Sequence, residues 1–335
     1  MLLALFGLAS AQAATAYGTF SPSCTNNGVT TAVERQCTSG GHDADHHVWV
    51  PNPGTAAEDR LLVFLPGTKN EARDHDWVAQ IAANAGFRVI VLSYDSNQED
   101  GAGNGQIGAF CNTHHFGDTA CHGDLGERVL FGSGSGVALS NHNMDDQDTV
   151  HARLVDVLTQ LDAANPTHGW DDYLNDIDVA DPYNDADWCN FLFAGFSQGA
   201  AYAAQLGSMR DVGGVVMLDG PGAVGDWLTA THETDPDLWF AVHHVNNNDK
   251  TAQWDDLGVP NGQTALNLGG GGPWPMTAGD HRVYVTSGQP AGCTAHKSLA
   301  LDNCMVRSGA VPKLNESYQE IFLQAAAAED PECAP

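Results

Sequence analysis

Phe191-Leu192-Phe193-Ala194-Gly195-Phe196-Ser197-Gln198-Gly199-Ala200-Ala201-Tyr202-Ala203-Ala204 passes from a continuous apolar run, through a Gly-x-Ser-x-Gly pentapeptide, into a small-residue segment. The apolar run has the composition of a strand buried on both faces, and the small-residue segment has that of a helix packed closely on a sheet. Between them, glycines on either side of Ser197 suit a sharp strand-to-helix turn with no room for flanking side chains. Such a turn exposes the serine hydroxyl. A pentapeptide alone is weak evidence, but here the strand before it and the helix after it supply the context it needs.

Working outward, the same alternation recurs. Leu61-Leu62-Val63-Phe64-Leu65 is a continuous apolar run stopped by Pro66-Gly67, as expected for a central parallel strand. Asp76 to Ala85 carries Trp77, Ile81 and Ala85 at helical spacing and ends at Gly86. Arg88–Tyr94, Gly214–Leu218, Leu238–His244 and Arg282–Thr286 are predicted strands, Arg282–Thr286 being the last along the chain. His46–Pro51 is predicted as an edge strand ended by proline. Thr149–Leu161 and Asn315–Ala328 are predicted helices. The expected fold class is α/β: a mostly parallel central sheet with helices on both faces, in a single domain over residues 17–335. An irregular insertion rich in Gly, Asn, His and Asp is expected at about 95–146, beside the functional site.

A serine hydroxyl is a poor nucleophile at neutral pH, so a histidine must accept its proton and a carboxylate must orient that histidine. Ligands and catalytic groups gather beyond the carboxyl ends of parallel strands. His296 lies just past the last predicted strand, between Cys293 and Cys304, whereas His281 precedes that strand and His243 and His244 lie within one. Two acids are candidates. Asp249 follows Leu238–His244 with the histidine still to come, and Asp219 directly follows Gly214–Leu218; Asp249 is preferred and Asp219 is its rival. Asp255 and Asp256 are expected to be solvated. For the oxyanion, the backbone N–H of Gln198 and that of Thr68, in the loop after the first clear strand, are the expected donors, with the Thr68 hydroxyl a further candidate.

LLVFLPGT, GFSQG, an Asp after the next-to-last predicted strand and a His after the last together resemble the α/β-hydrolase superfamily, over about residues 60–335. GFSQG is similar to the elbow of carboxylesterases, acyl thioesterases and cutinase-like polyester hydrolases, and the cysteine-bracketed histidine loop also looks cutinase-like. The chain departs from cutinases in its length and its insertion. The resemblance implies a serine carboxylic ester hydrolase working through an acyl-enzyme, without cofactor, on a small-molecule, lipid or polyester substrate. Epoxide hydrolases and haloalkane dehalogenases share this fold but carry Asp where this chain has Ser197.

Composition bounds the setting. With 42 acidic against 13 basic residues the formal charge is −29, which argues against nucleic acid as a partner and for a hydrated, salt-adapted surface of the halophilic kind. Residues 1–16, apolar or small and ending in small-x-small triplets, read as a signal peptide, although no Lys or Arg precedes Arg35. The apolar run from Met1 to Ala9 is far shorter than the roughly 20 residues that span a bilayer, so no integral membrane segment is expected in the mature form. Eight cysteines without a CxxC pair point to disulfides in an oxidising, secreted or periplasmic compartment. Sequence proximity suggests Cys24–Cys37, Cys111–Cys121 and Cys293–Cys304, leaving Cys189 with Cys333. The clusters His42, Asp43, Asp45, His46, His47 and His114, His115, His122 contain metal-ligating types, but clustering in sequence does not establish convergence and no metal is expected. The alternative from another class is a non-catalytic surface protein that keeps the fold and binds cations or partners.

Overall fold

The computed structural model describes residues 15–20, 45–52, 55, 57–94, 110–111, 115, 117–132, 146–176, 188–222, 225–247, 250–260, 266–269, 282–308 and 311–327. In chain order the strands of the main sheet are β1 (Thr15–Phe20), β2 (His46–Val50), β3 (Leu61–Leu65), β4 (Arg88–Val91), β5 (Phe191–Phe196), β6 (Gly214–Leu218), β7 (Trp239–His244), β8 (Leu266–Gly269) and β9 (Val283–Thr286). They stand in the order β1-β2-β4-β3-β5-β6-β7-β9-β8. β1 pairs antiparallel with β2, and β2 antiparallel with β4; from β4 to β8 every pairing is parallel. The helices are α1 (Asp76–Ala85), α2 (Cys121–Phe131), α3 (Val150–Ala164), α4 (Trp170–Asp176), α5 (Gln198–Met209), α6 (Thr251–Asp256) and α7 (Asn315–Ala327). This is the α/β-hydrolase fold.

Side chains that alternate along each central strand enter two separate cores. Leu61, Val63, Leu65, Phe191, Phe193, Val215 and Met217 pack on one face with Val150, Leu154, Val157, Leu158 and Leu161 of α3 and Ala200, Ala203 and Ala204 of α5. Leu62, Phe64, Leu192, Ala194, Val216 and Leu218 pack on the other with Val78, Ile81 and Ala82 of α1 and Tyr318, Ile321 and Phe322 of α7. A strand that must bury both faces shows no polar alternation, which explains the continuous apolar runs.

Three features differ from expectation. His46–Val50 is not an edge: β1 covers it, and Thr15 and Ala16, placed by the sequence in a leader, belong to that strand. Arg282–Thr286 is the last strand of the main sheet in chain order, as expected, but β8, which the sequence reading did not include, pairs beyond it. Within the span expected to be irregular, Cys121–Phe131 form a helix. Its apolar positions Val129, Leu130 and Phe131 join the α3–α5 core, and Gln205 of α5 donates its amide to the Gly123 carbonyl at 2.5 Å. Gly123 and Gly126 interrupt its helical pattern in the sequence, and the helix is held by this docking more than by propensity.

A polar group is sealed beneath the carboxyl end of β4. Arg153 of α3 donates to Asp148 and, at 3.3 Å, to the Ser93 carbonyl, while the Ser93 N–H donates to His46 Nδ1 at 3.0 Å. The Arg153 and Asp148 side chains are each 2% exposed. Burial first, and then the Arg153 charge, hold the His46 pKa well below its ordinary value, so His46 is neutral with its proton on Nε2. Removing one partner of a buried ion pair leaves a desolvated charge behind. Asp148→Ala is therefore expected to lower the unfolding free energy by about 3–5 kcal/mol in chemical denaturation, whereas an exposed control such as Asp171→Ala changes it little.

Candidate active site

The site forms where β3, β5, β6 and β7 end. At the tip of β5, Ser197 adopts φ 56° and ψ −113° and is half-buried between strand and helix. The flanking glycines are required by contact. A Cβ on Gly199 would lie 1.9 Å from the Leu65 carbonyl oxygen, and one on Gly195 would lie 2.2 Å from the Gly199 oxygen. The Ser197 N–H donates to the Leu218 carbonyl at 2.9 Å, so the elbow is stitched to β6 immediately before Asp219.

Asp219 also has a positive φ, 58°, and its side chain is fully buried. Its N–H donates to the Val242 carbonyl of β7 at 2.7 Å, and Trp254 of α6 donates its indole N–H to the Gly220 carbonyl at 2.8 Å. The turn is thus held from both sides. Asp219 Oδ2 receives His296 Nδ1–H, and it also receives the Asn247 amide. His296 is 34% exposed through its side chain, and its ring lies on that of Phe196, the residue before Ser197, with centroids 4.5 Å apart. With Nδ1 committed to the carboxylate, Nε2 is the nitrogen left to take a proton.

Asp249, the preferred acid from sequence, lies outside the described residues, as do His281, His42, Asp43 and His114. The carboxylate brought to His296 is that of the rival, Asp219. His243 and His244 are buried in β7, as expected of core histidines: His243 meets Trp254 edge-on at 5.2 Å, and His244 Nδ1 accepts the Asn246 N–H at 3.1 Å. Asp255 and Asp256 are exposed on α6.

The loop after β3 stands beside the elbow. Asn70 N–H donates to the Gly67 carbonyl at 3.0 Å, and Lys69, at the third position of that turn, has φ 62°, a conformation uncommon for a residue with a side chain. Tyr94 anchors the loop by donating its hydroxyl to the Pro66 carbonyl at 2.6 Å. Thr68 and Gln198 are brought together, but the Thr68 hydroxyl donates to Gln198 Oε1, and Gln198 Nε2 donates to the Tyr202 hydroxyl at 2.8 Å. In this structure the Thr68 hydroxyl is therefore engaged, leaving the backbone N–H groups of Thr68 and Gln198 as the oxyanion candidates.

The histidine loop is fastened to the start of α1. Cys293–Cys304 closes it, and Cys111–Cys121 and a bond through Cys189 are also formed; Cys24, Cys37 and Cys333 lie outside the described residues. His75 donates Nδ1–H to the Ala300 carbonyl at 3.0 Å, Asp302 accepts the Trp77 N–H at 2.9 Å, and Tyr318 donates to the Leu299 carbonyl at 2.8 Å. Asp302 thus caps α1 from a distance. Neither it nor His75 stood out in the sequence, because their partners are more than two hundred residues away. Among the described residues no three His, Cys, Asp or Glu side chains converge as metal ligands. His46 and His47, adjacent on β2, turn to opposite faces, toward Ser93 and Asp76.

No family model and no curated protein sequence matches the chain. Solved structures similar to it include an α/β serine hydrolase without a lid from Xanthomonas campestris (12% identity, 95% of this chain and 98% of that one, TM-score 0.40). A putative dienelactone hydrolase from Klebsiella pneumoniae (10%, 95% and 100%, 0.37) and Thermogutta terrifontis esterase 2 phosphonylated by cyclosarin (10%, 84% and 86%, 0.34) are also among them.

Burial sets two opposed pH dependences where the His296 loop meets the start of α1. Burial chiefly, with Asp76 and Asp74 nearby, pushes Asp302 from 3.8 to about 7, against the Trp77 hydrogen bond and Arg307. Folded Asp302 therefore retains a proton that the unfolded chain loses, and its contribution to stability falls as pH rises through that window. Burial lowers His75 from 6.5 to about 4, so its contribution is lost as pH falls through the window between those values. Relative to wild type, Asp302→Asn should gain in melting temperature as pH rises from about 4 to about 7, and His75→Gln as pH falls from 6.5 to about 4. Parallel melting curves for variant and wild type across these ranges would contradict the assignment.

Proposed function

We propose that the chain is a serine hydrolase acting on carboxylic esters through an acyl-enzyme. The observation that carries this is the buried Asp219 carboxylate on His296 Nδ1 beside a serine at positive φ. Ser197 Oγ attacks the ester carbonyl while His296 Nε2 takes its proton. Asp219 holds the imidazole in the tautomer that leaves Nε2 free to accept and stabilises the imidazolium that forms. The Thr68 and Gln198 N–H groups receive the oxyanion, each worth about 10²–10³ in rate by analogy with other such donors. His296 then returns the proton to the leaving alcohol, and water, activated by the same nitrogen, releases the acid. Asp219 takes the acid's role in this scheme because it touches His296.

The setting is read from composition: an oxidising compartment outside the cytoplasm, with a salt-adapted surface at a formal charge of −29. Extracellular lipids, polyesters and acylated carbohydrates all present suitable esters. Nucleic acid is a poor partner for so acidic a chain, and no helix among the described residues is long and apolar enough to cross a membrane.

Two measurements test the proposal. A fluorophosphonate probe in high salt should label wild type and not Ser197→Ala, and Ser197→Ala should lose about 10⁴- to 10⁶-fold in kcat on p-nitrophenyl esters. A folded wild type that neither labels nor turns over would leave a non-catalytic binding protein as the better account. Screening of self-repulsion should also raise the melting temperature between low and molar salt; an unchanged value would remove the salt-adapted surface.

A further inference from the structure

Two strand ends, not one, reach the histidine. Asn247 follows β7 in a tight turn whose geometry is set by the buried His244. The Asn247 N–H donates to the His244 carbonyl at 2.9 Å, the Asn246 N–H to His244 Nδ1 at 3.1 Å, and the Val245 N–H to the Thr286 carbonyl of β9 at 2.9 Å. This turn delivers the Asn247 amide to Asp219 Oδ2, the oxygen that also receives His296 Nδ1–H. Asn247 Nδ2 and His296 Nδ1 lie 3.4 Å apart, two donors converging on one acceptor. Among the described residues no donor reaches Asp219 Oδ1. Without the amide, the buried carboxylate would be held through its histidine contact alone.

Resting on the serine-hydrolase mechanism above, we propose that Asn247 is a positioning residue. Its amide fixes the rotation of the Asp219 carboxylate so that Oδ2 faces His296, and position 247 lies close enough to the imidazole to supply the carboxylate itself. The role is mutual. An amide at 247 needs a carboxylate at 219 as acceptor, and a carboxylate at 247 would find an amide at 219 as donor. The pair can therefore be transposed without changing the number of atoms, charges or hydrogen bonds around His296.

A kinetic comparison on a short p-nitrophenyl ester separates this role from simple packing. Asn247→Ala should lower kcat about 10- to 100-fold, the effect of losing one hydrogen bond to a buried charged group, with KM within about twofold of wild type. Asp219→Asn should lower kcat about 10⁴-fold, as loss of a triad carboxylate does elsewhere. The transposed double variant, Asp219→Asn with Asn247→Asp, should recover at least about tenfold over Asp219→Asn alone. Near-UV circular dichroism checks that each variant is folded; should the double variant fail to fold, Asn247→Ala and Asn247→Ser decide alone. The proposal is overturned if Asn247→Ala retains kcat within twofold of wild type, or if a folded transposed variant is no more active than Asp219→Asn. An inert, unlabelled wild type would instead overturn the hydrolase mechanism, and the positioning role with it.

Discussion

The close approach of the Leu65 carbonyl to the α-carbon of Gly199 decides where the residues around Ser197 can stand. The space a side chain would need there is occupied, since its Cβ would come within 1.9 Å of that oxygen. The start of α5 is consequently pressed against the end of β3, and Ser197 is left in a backbone conformation that L-residues seldom adopt. Such conformations cost of order 1–3 kcal/mol and persist only where surrounding structure imposes them. Here the imposition comes from fully buried β3, β5 and β6 and from the Ser197 N–H bond to Leu218. The same approach brings Thr68 and Gln198 side by side, so the proposed nucleophile and oxyanion donors share one cause.

Around this rigid centre the histidine is held less directly. Its loop carries little regular structure, yet carbonyls at Leu299 and Ala300 and the carboxylate of Asp302 are each taken by donors from α7, His75 or α1. A loop with few apolar contacts is ordinarily among the first segments to open. Here Leu299, Ala300, Leu301 and Met305 are buried in the core between sheet, α1 and α7, and the Cys293–Cys304 bond and these polar anchors add to that burial. Two of the anchoring groups are ionisable and displaced in opposite directions by burial, so the fastening of the loop is balanced between them as pH changes.

Much of this was legible before any coordinates. Doubly buried strands announce themselves as apolar runs, and Leu61–Leu65, Gly214–Leu218 and the helix Asp76–Ala85 have the bounds that their composition implies. The elbow was legible because its two glycines answer a local demand. β1 and β8 were not, since an outer strand is defined by what it pairs with, and Leu266–Gly269 is too short to declare itself. α2 was obscured by its glycines and by a histidine-rich surrounding sequence. Asn247 was hidden among three consecutive asparagines, where nothing local distinguishes the one that faces a carboxylate.

The choice of acid shows where sequence order loses its power. Neighbouring parallel strands lie about 4.8 Å apart, roughly the reach of an Asp or Asn side chain, so the residues just past β6 and β7 converge on the same imidazole. Order along the chain, with the acid between nucleophile and histidine, is satisfied by both Asp219 and Asp249. What separates positions is the direction in which each turn leaves its strand. For β6 that direction is set by the left-handed φ at Asp219, the Val242 carbonyl and the Trp254 indole, contributed by three separate segments. The Val242 carbonyl and the Trp254 indole both lie more than twenty residues from Asp219 in the chain. The carboxylate that reaches His296 is thus specified by the packing of its strand end, and its position along the chain follows from that packing.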